Sequence, residues 1–526
     1  MKLSRKLRKI KYQYSMNEKK RQPITTASPV FEESLDDNLL KIKKSFDNDC
    51  DLVIRKLSIN QFEHKKEMAL IYIEGIADCN VIEESVIVAI RDEYRNKECF
   101  EELMDLSNII ECISTSDIKK INEYEDAYAI LFNGNTLLLV DGINEALAID
   151  TKNYKERSIQ ESETEVLVRG PRDSFTEVIR TNTALVRQRI RSINLRVVSM
   201  EIGRATKTEI AVMYLDNITE PELVKEVFRR LEKINIDSIL ESGYIEELIQ
   251  DETFTPFPTI SSTERPDSVS GKLLEGRVAI LVNGTPFALV VPALFTEFYQ
   301  VPEDYYQRSD YITLIRILRL LAVLLSLLAP SFYIAITTFH HEMLPPTLLV
   351  SLYSQREGVP FPAFVEALIM EIAFEIIREA GLRMPRAVGQ AVSIVGTLVV
   401  GLAAVEAGLV SAAMVIIVAI TAISSFVIPS FNMGASFRIL RFPMMALAAS
   451  FGLYGISIGC ILIVLHLCSL RSFGIPYMSP FAPFNLADQK DNILRLPLWD
   501  MIARPKLMNH QNVKREKENE KEVKSL

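Results

Sequence analysis

Leu320-Leu-Ala-Val-Leu-Leu-Ser-Leu-Leu-Ala-Pro-Ser-Phe-Tyr-Ile-Ala-Ile-Thr-Thr-Phe339 carries no charge over its whole length. About 20 apolar residues cross the hydrocarbon core of a bilayer as a helix. Hydrocarbon offers no water to peptide groups, so such a run must satisfy them internally by coiling. Three further uncharged runs follow, Ala387–Val405, Ala407–Phe437 and Phe442–Leu470. The last two exceed one crossing and are expected to tilt, kink or continue past the bilayer. Outward from these runs, the N-terminal half is mixed polar and apolar sequence with no spanning stretch. The fold class expected is a multi-domain membrane protein: two tandem related α/β subdomains in a cytosolic head, followed by an α-helical transmembrane bundle.

Composition agrees with that division. The mean hydropathy of +0.14 averages a polar head and a greasy tail, and the net charge of -9 lies mostly outside the membrane. Positions 1–21 are rich in Lys and Arg, yet Tyr12–Arg21 stays polar where a secretory signal needs an apolar core. The N-terminus is therefore expected in the cytosol, as a solvated basic arm or one that touches anionic head groups. None of the six cysteines forms a CxxC pair, and Cys460 and Cys468 fall in the last apolar run. That is cytosolic or membrane usage, not a disulfide framework. His340 and His341 are adjacent, and adjacent side chains diverge on a helix, so they read as an interfacial pair and not as a metal site. The sequence shows no phosphate-binding loop, no dinucleotide fingerprint and no nucleophile elbow. No catalytic residue, cofactor, metal or nucleic-acid partner is expected, and the chain is not read as an enzyme.

The head contains an internal repeat. Ile130-Leu-Phe-Asn-Gly-Asn-Thr-Leu-Leu-Leu-Val140 is similar to Ile280-Leu-Val-Asn-Gly-Thr-Pro-Phe-Ala-Leu-Val290. Each reads as strand, Asn-Gly turn and strand, since Asn-Gly favours the tight hairpin turn. Upstream, Tyr72-Ile-Glu-Gly-Ile-Ala-Asp78 parallels Tyr214-Leu-Asp-Asn-Ile-Thr-Glu220, each before a helix-like segment. In the second copy Thr219 is the expected cap and Pro221 fits the first turn. That copy begins earlier, with Glu165–Arg169 read as a strand broken by Gly170-Pro171 and Ser174–Arg191 read as a helix. Arg180, Arg187, Arg189 and Arg191 on its polar faces form a solvated face or an electrostatic docking surface. Thr253–Pro258 with Ser261–Ser270 reads as a turn-rich connection.

Past Tyr306, Arg308, Arg316 and Arg319 stand at the membrane entrance, and positive charge there favours a cytosolic head. Pro330 is expected to bend the first span. Gly389, Gly396 and Gly401, and later Gly452, Gly455 and Gly459, permit close helix approach. Phe361–Ala380 is apolar yet carries Glu366, Glu371, Glu375, Glu379 and Arg378. Ionisable groups at membrane depth are costly and normally face a partner, a cavity or water. Spacing of four puts Glu371, Glu375 and Glu379 on one stripe, with Glu366 nearly opposite and Arg378 within reach of Glu375. The functional reading is an ion path bordered by Glu371, Glu375 and Glu366, with Phe364 and Leu368 closing a dewetted gate. The other reading is an amphipathic helix in the interface or packed on the head. If this segment spans, Arg378, Arg383 and Arg386 lie inside but the C-terminus ends outside. If it does not, the tail returns to the cytosol and Arg383 and Arg386 lie outside.

Five strings carry a family resemblance: Val168-Arg-Gly-Pro-Arg-Asp-Ser-Phe-Thr-Glu177, Gln355-Arg-Glu-Gly-Val-Pro-Phe-Pro362, Glu366-Ala-Leu-Ile-Met-Glu371, Arg386-Ala-Val-Gly-Gln-Ala-Val-Ser-Ile-Val395 and Arg441-Phe-Pro443. From about Asp51 to Lys506 the chain resembles the A subunit of the GerA-family spore germinant receptors. The resemblance implies a role in nutrient-triggered germination of endospores and a place in the spore inner membrane. It implies partners: a transporter-like B subunit that binds the nutrient, and a lipoprotein C subunit. It further implies a ligand-gated channel component that assembles as a homo-oligomer and releases monovalent cations. A non-conducting scaffold that couples the partners to the cytosol is the alternative. A secondary transporter comes third, since no inverted repeat is evident. The expected partition is a basic arm at 1–49, subdomains at 50–150 and 151–305, a transmembrane helical domain at 306–485 and a tail at 486–526 whose end is disordered.

Overall fold

Two five-stranded antiparallel sheets are built on one plan, the first in residues 1–155 and the second in residues 156–526. The computed structural model describes residues 30–47, 49–61, 64–96, 106–115, 117–152, 162, 164–383, 401–485, 488–498, 501 and 504. In the first unit, helix α1 (Leu35–Ser45) is capped by Ser34, whose side chain accepts from the Asp37 amide. Strands β1 (Leu52–Gln61) and β2 (His64–Ile73) form a long antiparallel pair. Asp78 caps the helix that starts at Cys79 and passes through a π-helical stretch, Ile82–Val88. After strand β3 (Ile118–Ile121) and the helix Tyr124–Phe132 come β4 (Thr136–Val140) and β5 (Ala146–Ile149), buried at every residue. The order is β1-β2-β4-β5-β3. Met68, Leu70, Val86, Ile90, Leu138 and Leu147 meet in its core.

The second unit repeats this order with β6 (Leu195–Ile202), β7 (Thr208–Leu215), β8 (Ser261–Thr263), β9 (Val278–Val282) and β10 (Ala288–Val291), arranged β6-β7-β9-β10-β8. The register repeats as well. Met68 pairs with Val140 and Ile210 with Val282, each member shifted along the chain by the same 142 residues. Tyr72 and Tyr214 obey that shift, but the two Asn-Gly turns do not. Ile130–Phe132 is the end of a helix, and Asn133-Gly134 terminates it, with the Gly134 amide bonded to Leu131 O. Asn283-Gly284 instead joins β9 to β10. Its counterpart is Asp141-Gly142 between β4 and β5, where Gly142 (φ +80) matches Gly284 (φ +93). The expected superposition of the two Asn-Gly turns is thus corrected: Asn-Gly serves a helix C-terminus as readily as a hairpin, because both need a positive φ. Gly134 also sits at φ +87, and an added Cβ would lie 2.9 Å from Ile76 Cγ2 and 3.1 Å from Ile76 O, whereas Gly284 faces open space. Gly134→Ala is expected to cost about 1–3 kcal/mol and to lower hydrogen-exchange protection of β4 more than Gly284→Ala lowers that of β10.

Three smaller expectations in the second unit are also revised. The described residues of Glu165–Arg169 form bends, not a strand. The helix expected from Ser174 begins at Ile179 and ends at Arg189. Its start is fixed by distant acceptors: Asn283 Oδ1 takes the Ile179 amide at 3.2 Å, while Phe175 is held extended by Glu264 O. The arginines are not a free docking face. Arg187 is fully buried and donates to Leu195 O at 2.8 Å, Arg180 pairs with Glu209 and Arg189 with Asp173. The helix Pro221–Glu232 has Pro221 in its first turn, but its N-cap is Glu220, and the buried Thr219 hydroxyl makes no cap.

The C-terminal region is helical. Ser309–Thr338 and Phe431–Ser469 are each long and apolar enough to cross a membrane, with mean hydropathies of 2.3 and 2.1. Between them lie Pro346–Arg356, Ala363–Arg383 and Ala412–Phe426. Most of the run Ala387–Val405 lies outside the described residues, as do positions 1–21 and Lys514–Lys524. The run Ala407–Phe437 is not one helix. It breaks after Phe426, and Ser430 caps a new helix by accepting from the Met433 amide. Arg438 and Arg441, which separate the last two uncharged runs, lie inside that new helix.

The 39-residue helix reverses on itself. Gly452 has φ 60 and ψ -140, a conformation outside the helical region. Beyond it, a Cβ on Gly455 would lie 2.2 Å from Leu447 O, and one on Gly459 would lie 2.4 Å from Met444 Sδ. The arms 431–451 and 453–469 therefore run antiparallel with their backbones in close approach, and span roughly 31 and 26 Å at 1.5 Å per residue. Both open ends meet the second subdomain: Ser436 Oγ donates to Pro256 O, and His466 Nε2 lies 2.9 Å from Thr255 Oγ1. At the closed end, Gly452 packs against His340, just past the first long helix. The tail then stays beside the second subdomain, where Tyr477 donates to Pro258 O at 2.8 Å.

Candidate functional site

Helix Ala363–Arg383 carries Glu366 and Glu371 inward. Ala363, Glu366, Ala367, Met370 and Glu371 are buried, while Ile369, Ile372 and Ile376 are exposed. Apolar side chains outside and carboxylates inside invert the pattern of a water-soluble helix and suit a lipid-facing one. Glu366 lies beside the N-terminus of Ala412–Phe426, where it accepts from the Ser411 amide at 2.6 Å and from Ser411 Oγ, with Arg356 Nε at 3.8 Å. Tyr333 OH stands 3.3 Å from the same Ser411 hydroxyl. Glu371 Oε2 accepts from Nη1 of the buried Arg441, whose Nε and Nη2 donate to Ser326 O and Oγ at 2.7 and 3.1 Å. Glu375 faces Arg438 Nε at 3.8 Å and Arg378 Nη1 at 4.0 Å, the latter being the pair that the spacing suggested. Glu379 is exposed and bonds Arg383 at 2.7 Å. Phe364 and Leu368 are half-buried, Phe364 against the helical core.

These contacts form a polar seam that runs along the inside of the helix. Glu366, though placed nearly opposite the stripe, is buried too, because neighbours cover the helix on more than one side. Glu366 Oε2, Glu371 Oε1 and Glu375 Oε1 are buried without a hydrogen bond. Ser326, Ser411, Arg438 and Arg441 escaped the sequence reading as members of the site. Their signal was there: Arg438 and Arg441 interrupt a long apolar stretch and need partners, and Phe361–Ala380 carries carboxylates.

A second polar centre joins the last turn of the subdomain to the first long helix. The buried Asp304 accepts from Arg316 Nε at 2.9 Å and from Arg319 Nη1 at 2.9 Å. Arg316 also reaches Asp491, and Tyr305 donates to Asp491 at 2.7 Å. The expected positive flank is thus largely neutralised within the chain. Burial pushes the Asp491 carboxyl up, against the lowering effect of Arg316.

A cavity of about 850 Å³ opens beside β8 and the helix Pro266–Leu273. Lys272, Arg277, Glu297, Glu241 and Glu246 line it. Burial pushes the Lys272 ammonium down and the Glu297 carboxyl up, each partly offset by the other. Glu246 is raised to about 7, first by desolvation and then by the Glu241 charge. A carboxyl held protonated by the fold stabilises it only while protonated. Stability is therefore expected to fall as pH rises from about 4.5 through 7, where the unfolded chain ionises and the folded one resists. Glu246→Gln is expected to flatten that part of the stability profile and to stabilise the protein above pH 7, as chemical denaturation across pH would report.

Among the described residues no group of three or more His, Cys, Asp or Glu is placed to hold a metal ion. An internal charge seam within an apolar helical region, rather than a pocket of nucleophiles and bases, marks a membrane-associated protein. Residues 40–507 match the family of the Bacillus/Clostridium GerA spore germination protein, and the chain belongs to that family. It is 50% identical to spore germination protein KA of Bacillus subtilis (strain 168) over 91% of this chain and 87% of that protein. It is 42% identical to spore germination protein B1 of the same organism, covering 90% and 96%. A crystal structure of the N-terminal domain of the A subunit of the Bacillus megaterium spore germinant receptor GerK3 is 39% identical. That likeness covers 51% of this chain and 99% of that one, with a TM-score of 0.40. Membership makes this chain a germinant-receptor subunit and not an enzyme.

Proposed function

We propose that this chain forms, in several copies, the cation-conducting part of a nutrient germinant receptor in the spore inner membrane. Its partners are a transporter-like B subunit and a lipoprotein C subunit. The observation that carries the reading is the seam of Glu366, Glu371 and Glu375, each with a buried oxygen that lacks a hydrogen bond. Carboxylate oxygens at membrane depth without a hydrogen bond are costly, even with arginines 3.8 Å from those of Glu366 and Glu375. Water and a passing monovalent cation would relieve that cost if the neighbouring helices part, with Phe364 and Leu368 closing the path at rest. Nutrient binding on a partner would favour the open arrangement by a differential free energy of about 1–3 kcal/mol per coupled site.

The topology that suits this function places the head and the tail in the cytosol. The crossings are Ser309–Thr338, Ala363–Arg383, Ala412–Phe426 and the two arms around Gly452, and the uncharged run Ala387–Val405, most of which lies outside the described residues, is expected from its sequence to add a sixth. The reversal at Gly452 supplies the crossing that a single last span lacks, so Phe361–Ala380 spans while the tail returns. Tyr477 on Pro258 and Arg316 on Asp491 support that return. Single cysteines in the head and at Asp491 are expected to resist membrane-impermeant reagents in intact cells; labelling of either from outside overturns the arrangement.

One observation favours the scaffold reading: Glu371 pairs with Arg441 within one chain, as a structural clamp would. Ion flux through the reconstituted receptor separates the two. Glu371→Gln and Glu375→Gln, single and combined, are expected to lower cation flux or selectivity while insertion and assembly stay normal. Unchanged flux in all three variants leaves the scaffold.

A further inference from the structure

We infer that the second subdomain docks on the bilayer through the loop Thr253–Pro258, with Phe254 inserted among lipid acyl chains and head groups. The inference rests on the reading of the two arms around Gly452 as membrane-spanning.

Thr253-Phe-Thr-Pro-Phe-Pro258 places two phenylalanines three residues apart in a segment with no regular structure. Their fates differ. Phe257 is buried within the helical core, edge-on to Phe437 at 5.9 Å and 6.1 Å from His466. Phe254 is 99% exposed. The loop is fixed at a known height. Thr255 meets His466, three residues before the end of the second arm, and Pro256 O accepts from Ser436, five residues after the start of the first. The loop therefore lies against the subdomain-side ends of both arms. Around it the outward faces of the arms are apolar, with Phe431, Ile439, Leu462 and Leu465 exposed. A surface of that kind is covered by hydrocarbon in a membrane protein. The ring of Phe254 stands at its border, and aromatic rings favour that boundary. The contact of Phe257 and the prolines at 256 and 258 limit how far the loop can turn the ring back to water. A lone aromatic left in water on a mobile loop would need no such anchorage.

Lipid is the occupant because the exposed ring is continuous with the lipid-facing surface of the arms. A neighbouring copy or a partner subunit would cover the same ring without bringing it near acyl chains, and the test distinguishes these. The chain has one tryptophan, Trp499. Full-length Trp499→Phe protein carrying Phe254→Trp is reconstituted into phosphatidylcholine–phosphatidylglycerol vesicles. Lipids brominated at shallow or deep acyl positions serve as quenchers. A companion protein carries Leu462→Trp on the outward face of the second arm. The expected result is blue-shifted emission from position 254, quenched more by shallow than by deep bromines, with position 462 quenched more by deep ones. Emission from 254 at the wavelength of tryptophan in water overturns the inference, as does blue-shifted emission that neither bromine quenches, which reports a protein neighbour. If 462 also escapes quenching, the spanning of the arms fails rather than the loop. Phe254 touches no part of the glutamate seam, so cation flux is expected to be retained in the Trp variant.

Discussion

Arg441→Leu is expected to destabilise the helical region by about 3–5 kcal/mol, the cost of leaving one member of a buried ion pair without its partner. That is a large share of the roughly 5–15 kcal/mol that holds a typical domain together. Glu371 would be left inside the helical region with no guanidinium against it, and Ser326 would lose two donors. Thermal unfolding of the detergent-solubilised protein, or proteolysis in membranes, would report the loss. Glu371→Gln is expected to cost less, because the amide oxygen can still accept from Arg441. The double variant Glu371→Leu with Arg441→Leu is expected to recover most of the loss, since an apolar pair of similar volume often replaces a buried ion pair without penalty. A single variant as stable as the parent would show that the pair contributes nothing to the fold.

Gly455→Leu is expected to force the two arms apart. The nearest obstacle to its Cβ is the Leu447 carbonyl oxygen at 2.2 Å, a backbone atom that cannot rotate away, and Phe451 Cβ follows at 3.1 Å. Overpacking of a close contact costs about 1–3 kcal/mol when side chains can yield, and more is expected where the obstacle is main chain. Gly452→Val adds a different penalty. It places a β-branched residue at a positive φ, with His340 Cε1 at 2.7 Å, and strain of that kind costs about 1–3 kcal/mol. Either variant is expected to raise hydrogen exchange along both arms and to expose the half-buried Cys460 to thiol reagents. Exchange at the parent's level in both variants would show that the arms do not pack antiparallel at these glycines.

The repeat in the head was legible because strand registers copy their side-chain patterns. The shift of 142 residues was present in Tyr72 and Tyr214, and again in Asp141-Gly142 and Asn283-Gly284. The Asn-Gly at 133 distracted from it. A local dipeptide reports a backbone conformation, not the element on either side. The shortened helix at Ile179 was beyond local signals, since its first turn is set by Asn283, about a hundred residues away.

By itself the sequence determined the division into a polar head and an apolar helical region, the duplicated subdomain, the family, and the helix that carries the glutamates. Each of these rests on patterns a few residues long, or on their repetition, because burial and membrane depth act on local composition. Only the tertiary structure decided that the last apolar helix doubles back at Gly452, and that Glu371 meets Arg441 across seventy residues of chain. It also decided that Arg316 and Arg319 close on Asp304 rather than face lipid head groups. A glycine's conformation and an ion pair's partner depend on which surfaces the folded chain brings together, and spacing along the sequence leaves both open.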